Sequence, residues 1–158
     1  MKRVIFENDE GGMSVLIPAP NCKLSIEEVA KKDIPTGTAY EIVDSFAIPN
    51  DRTFRNAWKK NGKKVEIDID KAKEHTHNIR REKRAKEFEP LDEVIMKKIP
   101  ETDEVAVEAD RQIVRDKFDT IQTNIDNAVD EKELKQIIED MDTVEEIIDT
   151  TVEVVEEV

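Results

Sequence analysis

The chain has 158 residues, 38 of them Asp or Glu against 25 Lys or Arg, and its formal charge of −13 argues against general affinity for nucleic-acid phosphates. Charged residues make up 40% and aromatic residues 4%, a balance that leaves few anchors for a thick core and points to helical or partly extended architecture. Cys22 is the single cysteine, which excludes an intrachain disulfide, and the absence of any run of about 18 apolar residues excludes a spanning helix.

The opening, MKRVIFENDEGG, has three apolar residues before acids appear, so it reads as neither a signal peptide nor a membrane anchor. All four glycines and four of the six prolines precede residue 65, so a turn-rich part comes first. RVIFENDEGGMSVLIPAP predicts two short strands, near residues 4–7 and 14–17, joined by a polar turn at Gly11 and Gly12. Pro18 and Pro20 end the second strand, because proline has no amide to give a ladder. SIEEVAKK carries a capping box: Ser25 accepts from the amide of Glu28 while Glu28 reaches back to Ser25. AYEIVD reads as a third strand, and Asn50 or Asp51 is expected to cap a short helix carrying Phe54 and Trp58.

Beyond Gly62 there is no glycine, and the pattern turns helical. Asp68 or Asp70 caps a helix in which Ile69, Ala72, Ile79, Ala85 and Phe88 recur at helical spacing. Pro90 either kinks this helix or begins another, which carries Leu91, Val94, Ile95 and Ile99. A further helix between residues 103 and 128 aligns Val107, Val114, Phe118, Ile121, Ile125 and Ala128. Asp130 and Glu133 form a cap-like pair before the last segment.

In that segment Leu134, Ile137, Met141, Val144, Ile148, Thr151, Val155 and Val158 follow at alternating spacings of three and four, the a/d repeat of a coiled coil. Such a seam needs cover, from the preceding helices, from other copies of the chain, or from a foreign groove. Its β-branched end, TTVEVV, is also compatible with an edge strand. Charge is segregated too. Residues 71–86 hold seven Lys/Arg against two Glu, and residues 130–158 hold twelve Asp/Glu against two Lys. Opposite charge on successive helices favours antiparallel docking, within or between chains, and sets orientation more than stability.

No stretch carries a catalytic pattern. His75 and His77, the only histidines, are spaced i, i+2 and diverge on a helix, where zinc ligands want i, i+4; they are expected to face solvent. RREKRAK lacks the interleaved aromatics of a nucleic-acid patch and reads as a partner-facing side. The carboxylates are too many for one pair to stand out as an acid/base couple. Cys22 has no histidine near it in sequence and reads as a packing residue. The expectation is therefore a chain with no catalytic residue, no cofactor-binding residue and no metal ligand. Contacts fall on Leu134, Ile137, Met141, Val144, Ile148 and Val155 of the seam and on Arg80, Arg81 and Arg84 of the basic stretch.

Three stretches, MKRVIFENDEGGMSVLIPAPN, DIPTGTAYEIVD and IPNDRTFRNAW, followed by DKAKEHTHNIRREKR, carry a resemblance. Over about the first 90 residues the chain resembles a group of small tailed-bacteriophage proteins encoded among tail and tail-fibre genes, some of them similar to tail assembly chaperones. The valine-rich acidic end departs from that pattern. The motif residues are Gly12, Pro18, Pro20, Asp51, Arg52, Phe54, Arg55 and Trp58. Their bland reading is architectural, with Phe54 and Trp58 covering the sheet and Asp51 capping. The resemblance implies an assembly or structural role in the tail region and supplies no catalytic residues.

The fold expected is α+β: a small N-terminal antiparallel sheet with short helices (residues 1–64), a helical hairpin region (65–129), and an acidic amphipathic or coiled-coil segment (130–158). The expected function is that of a non-enzymatic virion component of the phage tail or its fibre attachments. Its partners would be other phage structural proteins, with a homo-oligomer possible and no nucleic acid or membrane involved. A transient assembly chaperone that leaves the mature particle is the alternative. An acidic mimic of nucleic acid fits less well, because valine and isoleucine run through the acidic stretch.

Overall fold

The alternation in RVIFE places Val4 and Phe6 on one face of a strand and Arg3 and Ile5 on the other. In the computed structural model this strand, β1 (Lys2–Glu7), is the centre of an antiparallel sheet between β2 (Met13–Leu16) and β3 (Tyr40–Asp44). The structure describes residues 1–9, 11–97 and 103–155, with side chains to residue 143. Val4 sits opposite Leu16 on one side and Ile42 on the other. The turn from β1 to β2 closes where the Asn8 amide donates to the Gly12 carbonyl at 2.9 Å and the Gly12 amide donates to Asn8 Oδ1 at 2.8 Å. Gly11 takes φ +70°, a left-handed conformation that glycine adopts without a Cβ penalty.

Each face of this sheet has its own cover. On one face Val4 packs with Ala30 and Ile34, brought by α1 (Ile26–Asp33) and its C-cap. The capping box at Ser25 is complete, with Glu28 Oε2 2.7 Å from the Ser25 amide. Those hydrogen bonds hold the Glu28 carboxyl below its ordinary value of 4.5. A depressed carboxylate stabilises the fold above its ordinary value and loses that contribution as pH falls through the depressed range. Glu28→Gln should therefore flatten the stability profile below pH 4.5. Ser25→Ala should cost about 1 kcal/mol. Both are read by thermal melting across pH.

On the other face Ile5, Met13 and Val43 pack with Trp58 and Val65. Here the structure departs from the sequence reading. Trp58 does not ride a helix; a single 3₁₀ turn (Arg55–Ala57) leads straight into a hairpin of β4 (Trp58–Asn61) and β5 (Lys64–Ile67). The physical signal was Asn61-Gly62, a hairpin turn in which Gly62 holds φ +57°. Asp51 likewise caps no helix: its Oδ1 accepts from the Thr53 amide at 2.8 Å and braces the loop. Phe54 is buried beside this turn, as expected of a residue covering the core.

The chain divides into two compact units, Met1–Ala72 and Lys73–Val158. The first extends past residue 64 because β5 must pair with β4. The second joins what the sequence divided at residue 130. Its helices are α2 (Ile69–Lys97, beginning in the first unit), α3 (Glu104–Asn127) and α4 (Glu131–Val155). Asp68 caps α2, Asp103 caps α3, and Asp130 accepts from the amides of Lys132 and Glu133 at the start of α4. α2 continues through Pro90 as one helix, although proline withdraws an amide and leaves the Lys86 carbonyl without its helical donor.

The inner stripe of α2 is not the aliphatic row expected. Ala85 is exposed, and the buried positions are Ala72, Thr76, Arg80 and Lys83. Long basic side chains can bury their stems while their charged ends find partners, and the helices facing α2 supply those partners. The aliphatic core of this unit comes from α3 and α4: Phe118, Ile125, Ala128, Leu134 and Met141.

Candidate functional site

Arg3, on the same face of β1 as Ile5, reaches the rim where the hairpin packs on the sheet. Val15 and Ile17 arrive from β2 and the residue just after it. The loop after β3 adds Ile48 and Pro49, and the turn before β4 adds Arg52 and Arg55. Together with Ser45, Asn50 and Trp58 these groups enclose a cavity of about 150 Å³. The lining thus combines aliphatic side chains with three arginines.

The electrostatics of this cavity are unusual for an acidic chain. Among the described residues Arg3, Arg52 and Arg55 make no ion pair with a carboxylate. Nη1 of Arg3 and Nε1 of Trp58 are buried and have no hydrogen-bond acceptor. A buried donor without an acceptor costs about 1–3 kcal/mol, and buried polar groups are seldom left in that state. Three arginines without a carboxylate partner among the residues lining one hollow make an acceptor-bearing anion its natural complement.

The sequence-predicted contact residues fall elsewhere. Leu134 and Met141 are buried against their own bundle, and Ile137 is half-buried. This part of the seam is thus covered by the preceding helices, the first of the possibilities left open by the heptad pattern. The side chains of Val144, Ile148 and Val155 lie outside the described residues, as does Val158.

The basic stretch is also largely used within the chain. Arg80 is buried and donates to the Phe118 carbonyl at 3.3 Å. Burial pulls its guanidinium below its ordinary value, and the like charges of Arg81 and Arg84 add to the effect. Lys83 pairs with Asp142 at 2.7 Å, and Lys73 donates to the Asp126 carbonyl at 2.7 Å near the C-terminus of α3. Cations are favoured at that helix end. The pairs Lys117–Glu87 and Arg111–Asp92 join α2 to α3 further along, so those two helices run antiparallel. With a short link from α3 to α4, the basic α2 and acidic α4, which are not successive, run parallel and meet at the Lys83–Asp142 pair. Arg81 remains exposed and bonds Asn78, while Arg84 lies over the Phe88 ring at 4.8 Å.

Arg80 is buried, its Nε has no acceptor, and the attraction of Asp119 and Asp126 is outweighed by burial and by Arg81 and Arg84. Arg80→Met should leave the helical unit within about 1 kcal/mol of the parent or make it more stable, whereas Arg80→Ala should destabilise it by lost packing. Urea denaturation followed by circular dichroism checks the pair.

Two further expectations are corrected. His77 is not solvent-facing: its side chain is 17% exposed and its Nε2 lies 3.0 Å from Asp126 Oδ1. Cys22 is not a packing residue, since it lies exposed in the proline-rich loop after β2. Among the described residues no group of three or more His, Cys, Asp or Glu is arranged to hold a metal ion, and no helix is long and apolar enough to cross a membrane.

The cavity was missed at the sequence level. Its signal was present in D-R-T-F-R-N-A-W, where two arginines three apart precede the only tryptophan of an acidic chain. In comparisons with known proteins, no family model, no curated protein and no solved structure matches this chain.

Proposed function

We propose that this chain is a non-enzymatic protein-interaction component of a tailed phage, working in the tail or its fibre attachments. The observation that carries the reading is the meeting of two of the three motif stretches in one place, the first through both of its strands. RVIF contributes Arg3, SVLIPAP contributes Val15 and Ile17, and IPNDRTFRNAW contributes Pro49, Arg52, Arg55 and Trp58 to a single cavity. RVIF and SVLIPAP belong to the first, and IPNDRTFRNAW is the last, of the stretches that carry the resemblance to phage tail-region proteins. Their convergence, with three arginines that make no ion pair among the described residues, supports a recognition role for the head unit.

The helical unit supports the same reading. Along α3, Val105 is 80% exposed and Ile113 is 65% exposed, with Ala109 between them at helical spacing. Such a row offers aliphatic surface to another protein, whether a phage structural protein or a second copy of the chain. Mass spectrometry of purified particles tests the proposal: the chain should be found in the virion at fixed stoichiometry with tail proteins. Absence from particles, together with solubilisation of a co-expressed fibre protein, would move the assignment to a transient assembly chaperone.

A further inference from the structure

We infer that the cavity of the head unit is a carboxylate-binding pocket, taking an acid carried on a short aliphatic stem. The inference names a ligand for the cavity tied above to an interaction role, and it rests on the cavity's chemistry, not on the phage assignment. Three features select this ligand over other anions. Arg52 and Arg55, both exposed, and the half-buried Arg3 all line the cavity, and a guanidinium is a planar fork that matches the two oxygens of a carboxylate. Val15, Ile17, Ile48 and Pro49 form an aliphatic wall that a bare phosphate would leave uncovered but a methylene stem would fill. Trp58 lines the same cavity, and its indole N–H, closed off from solvent and without an acceptor, is a neutral donor that a small side-chain adjustment would offer to an incoming oxygen.

Nucleic acid is a poor occupant. Trp58 is 3% exposed in the core cluster with Ile5, Met13, Val43 and Val65, so its ring is not open for base stacking. The net charge of −13 opposes a polyanionic strand, while a single carboxylate is attracted locally within about a Debye length. Two sources share the selected chemistry: a free short-chain acid, and the side chain of a glutamate on a partner protein.

The test uses the full chain and its own reporter. As the only tryptophan, Trp58 gives one indole resonance in a nitrogen–proton correlation spectrum. Butyrate, a capped Gly-Glu-Gly peptide, butyramide and inorganic phosphate are titrated separately. Saturable shifts of the indole resonance are expected with butyrate and with the peptide, and none with butyramide. Tighter binding of the peptide identifies a protein side chain as the source; tighter binding of butyrate identifies a free acid. The double variant R52Q/R55Q, both positions exposed, should weaken either ligand at least about tenfold, as expected for losing charge-assisted hydrogen bonds. Amide exchange in β1 should be unchanged in that variant, showing that the head is still folded. Absence of a saturable shift with both acids, equal response to butyramide, tighter binding of phosphate, or undiminished binding in the folded double variant would overturn the inference. None of these outcomes depends on whether the chain is found in particles, so this reading and the tail assignment fail separately.

Discussion

Phe118→Ala should cost the helical unit about 3–5 kcal/mol, the range for removing a fully buried aromatic ring from a core that only partly collapses. Phe118 is 1% exposed, in the middle of α3, and is the largest apolar side chain buried in its unit. Its ring has Lys117 Nζ 5.2 Å from the centroid, and its own carbonyl receives the Arg80 guanidinium. Truncation therefore empties the position where α2 is held to α3. Urea denaturation followed by helical circular dichroism should show the midpoint fall sharply. Ile113→Ala, at an exposed position of the same helix, should change it by no more than about 0.5 kcal/mol. Equal midpoints for the two variants would mean that Phe118 is not central to the bundle.

Trp58→Ala should cost the head unit a similar amount, about 3–5 kcal/mol, and Trp58→Phe well under half of it. Trp58 is buried at the first position of β4 and touches the core residues contributed by β1, β2, β3 and β5. Removing it separates the hairpin from the sheet. Phenylalanine keeps most of the apolar contact, and because Nε1 has no acceptor, its loss breaks no internal hydrogen bond. Hydrogen exchange of the Val4 and Ile5 amides, in the central strand, reads the difference. The phenylalanine variant should also bind a carboxylate more weakly while remaining folded, which separates the ring's packing from its N–H. An alanine variant as stable as the parent would remove Trp58 from the core.

The elements easiest to read from the sequence were those in which local chemistry and burial agree. Ser25 with Glu28, Asp68 and Asp130 announce helix starts, because a side-chain oxygen beside free amides is a short-range arrangement. β1, β2 and β3 were legible because Val4, Ile5 and Val43 lie in short apolar runs bounded by turns. β4 and β5 were not. Their residues, Trp58-Lys-Lys-Asn and Lys-Val-Glu-Ile, hold too few apolar side chains to outweigh a charged composition. Only pairing across Gly62 makes them strands. The inner face of α2 was misread for a related reason. Arg80 and Lys83 look like surface residues until Phe118 and Asp142 are placed opposite them.

The candidate site divides in the same way. Heptad spacing identified Leu134 and Met141 as residues that must be covered, but spacing does not say by what, and the bundle covers them within the chain. The arginines of the cavity lie on β1 and on the turn before β4, so their meeting depends on the hairpin folding back over the sheet.

By itself the sequence determined the division into a turn-rich α+β head and an acidic helical part, the capping box at Ser25 and the cap at Asp130, and the need of the last helix for an apolar partner. These follow from interactions between residues within about one helical turn of each other, or from composition. The tertiary structure alone decided which helix covers the seam, that basic α2 and acidic α4 run parallel, and that Arg3, Arg52, Arg55 and Trp58 share one cavity. Those outcomes turn on contacts between residues far apart in the chain, where burial and charge pairing act together and local spacing carries no information.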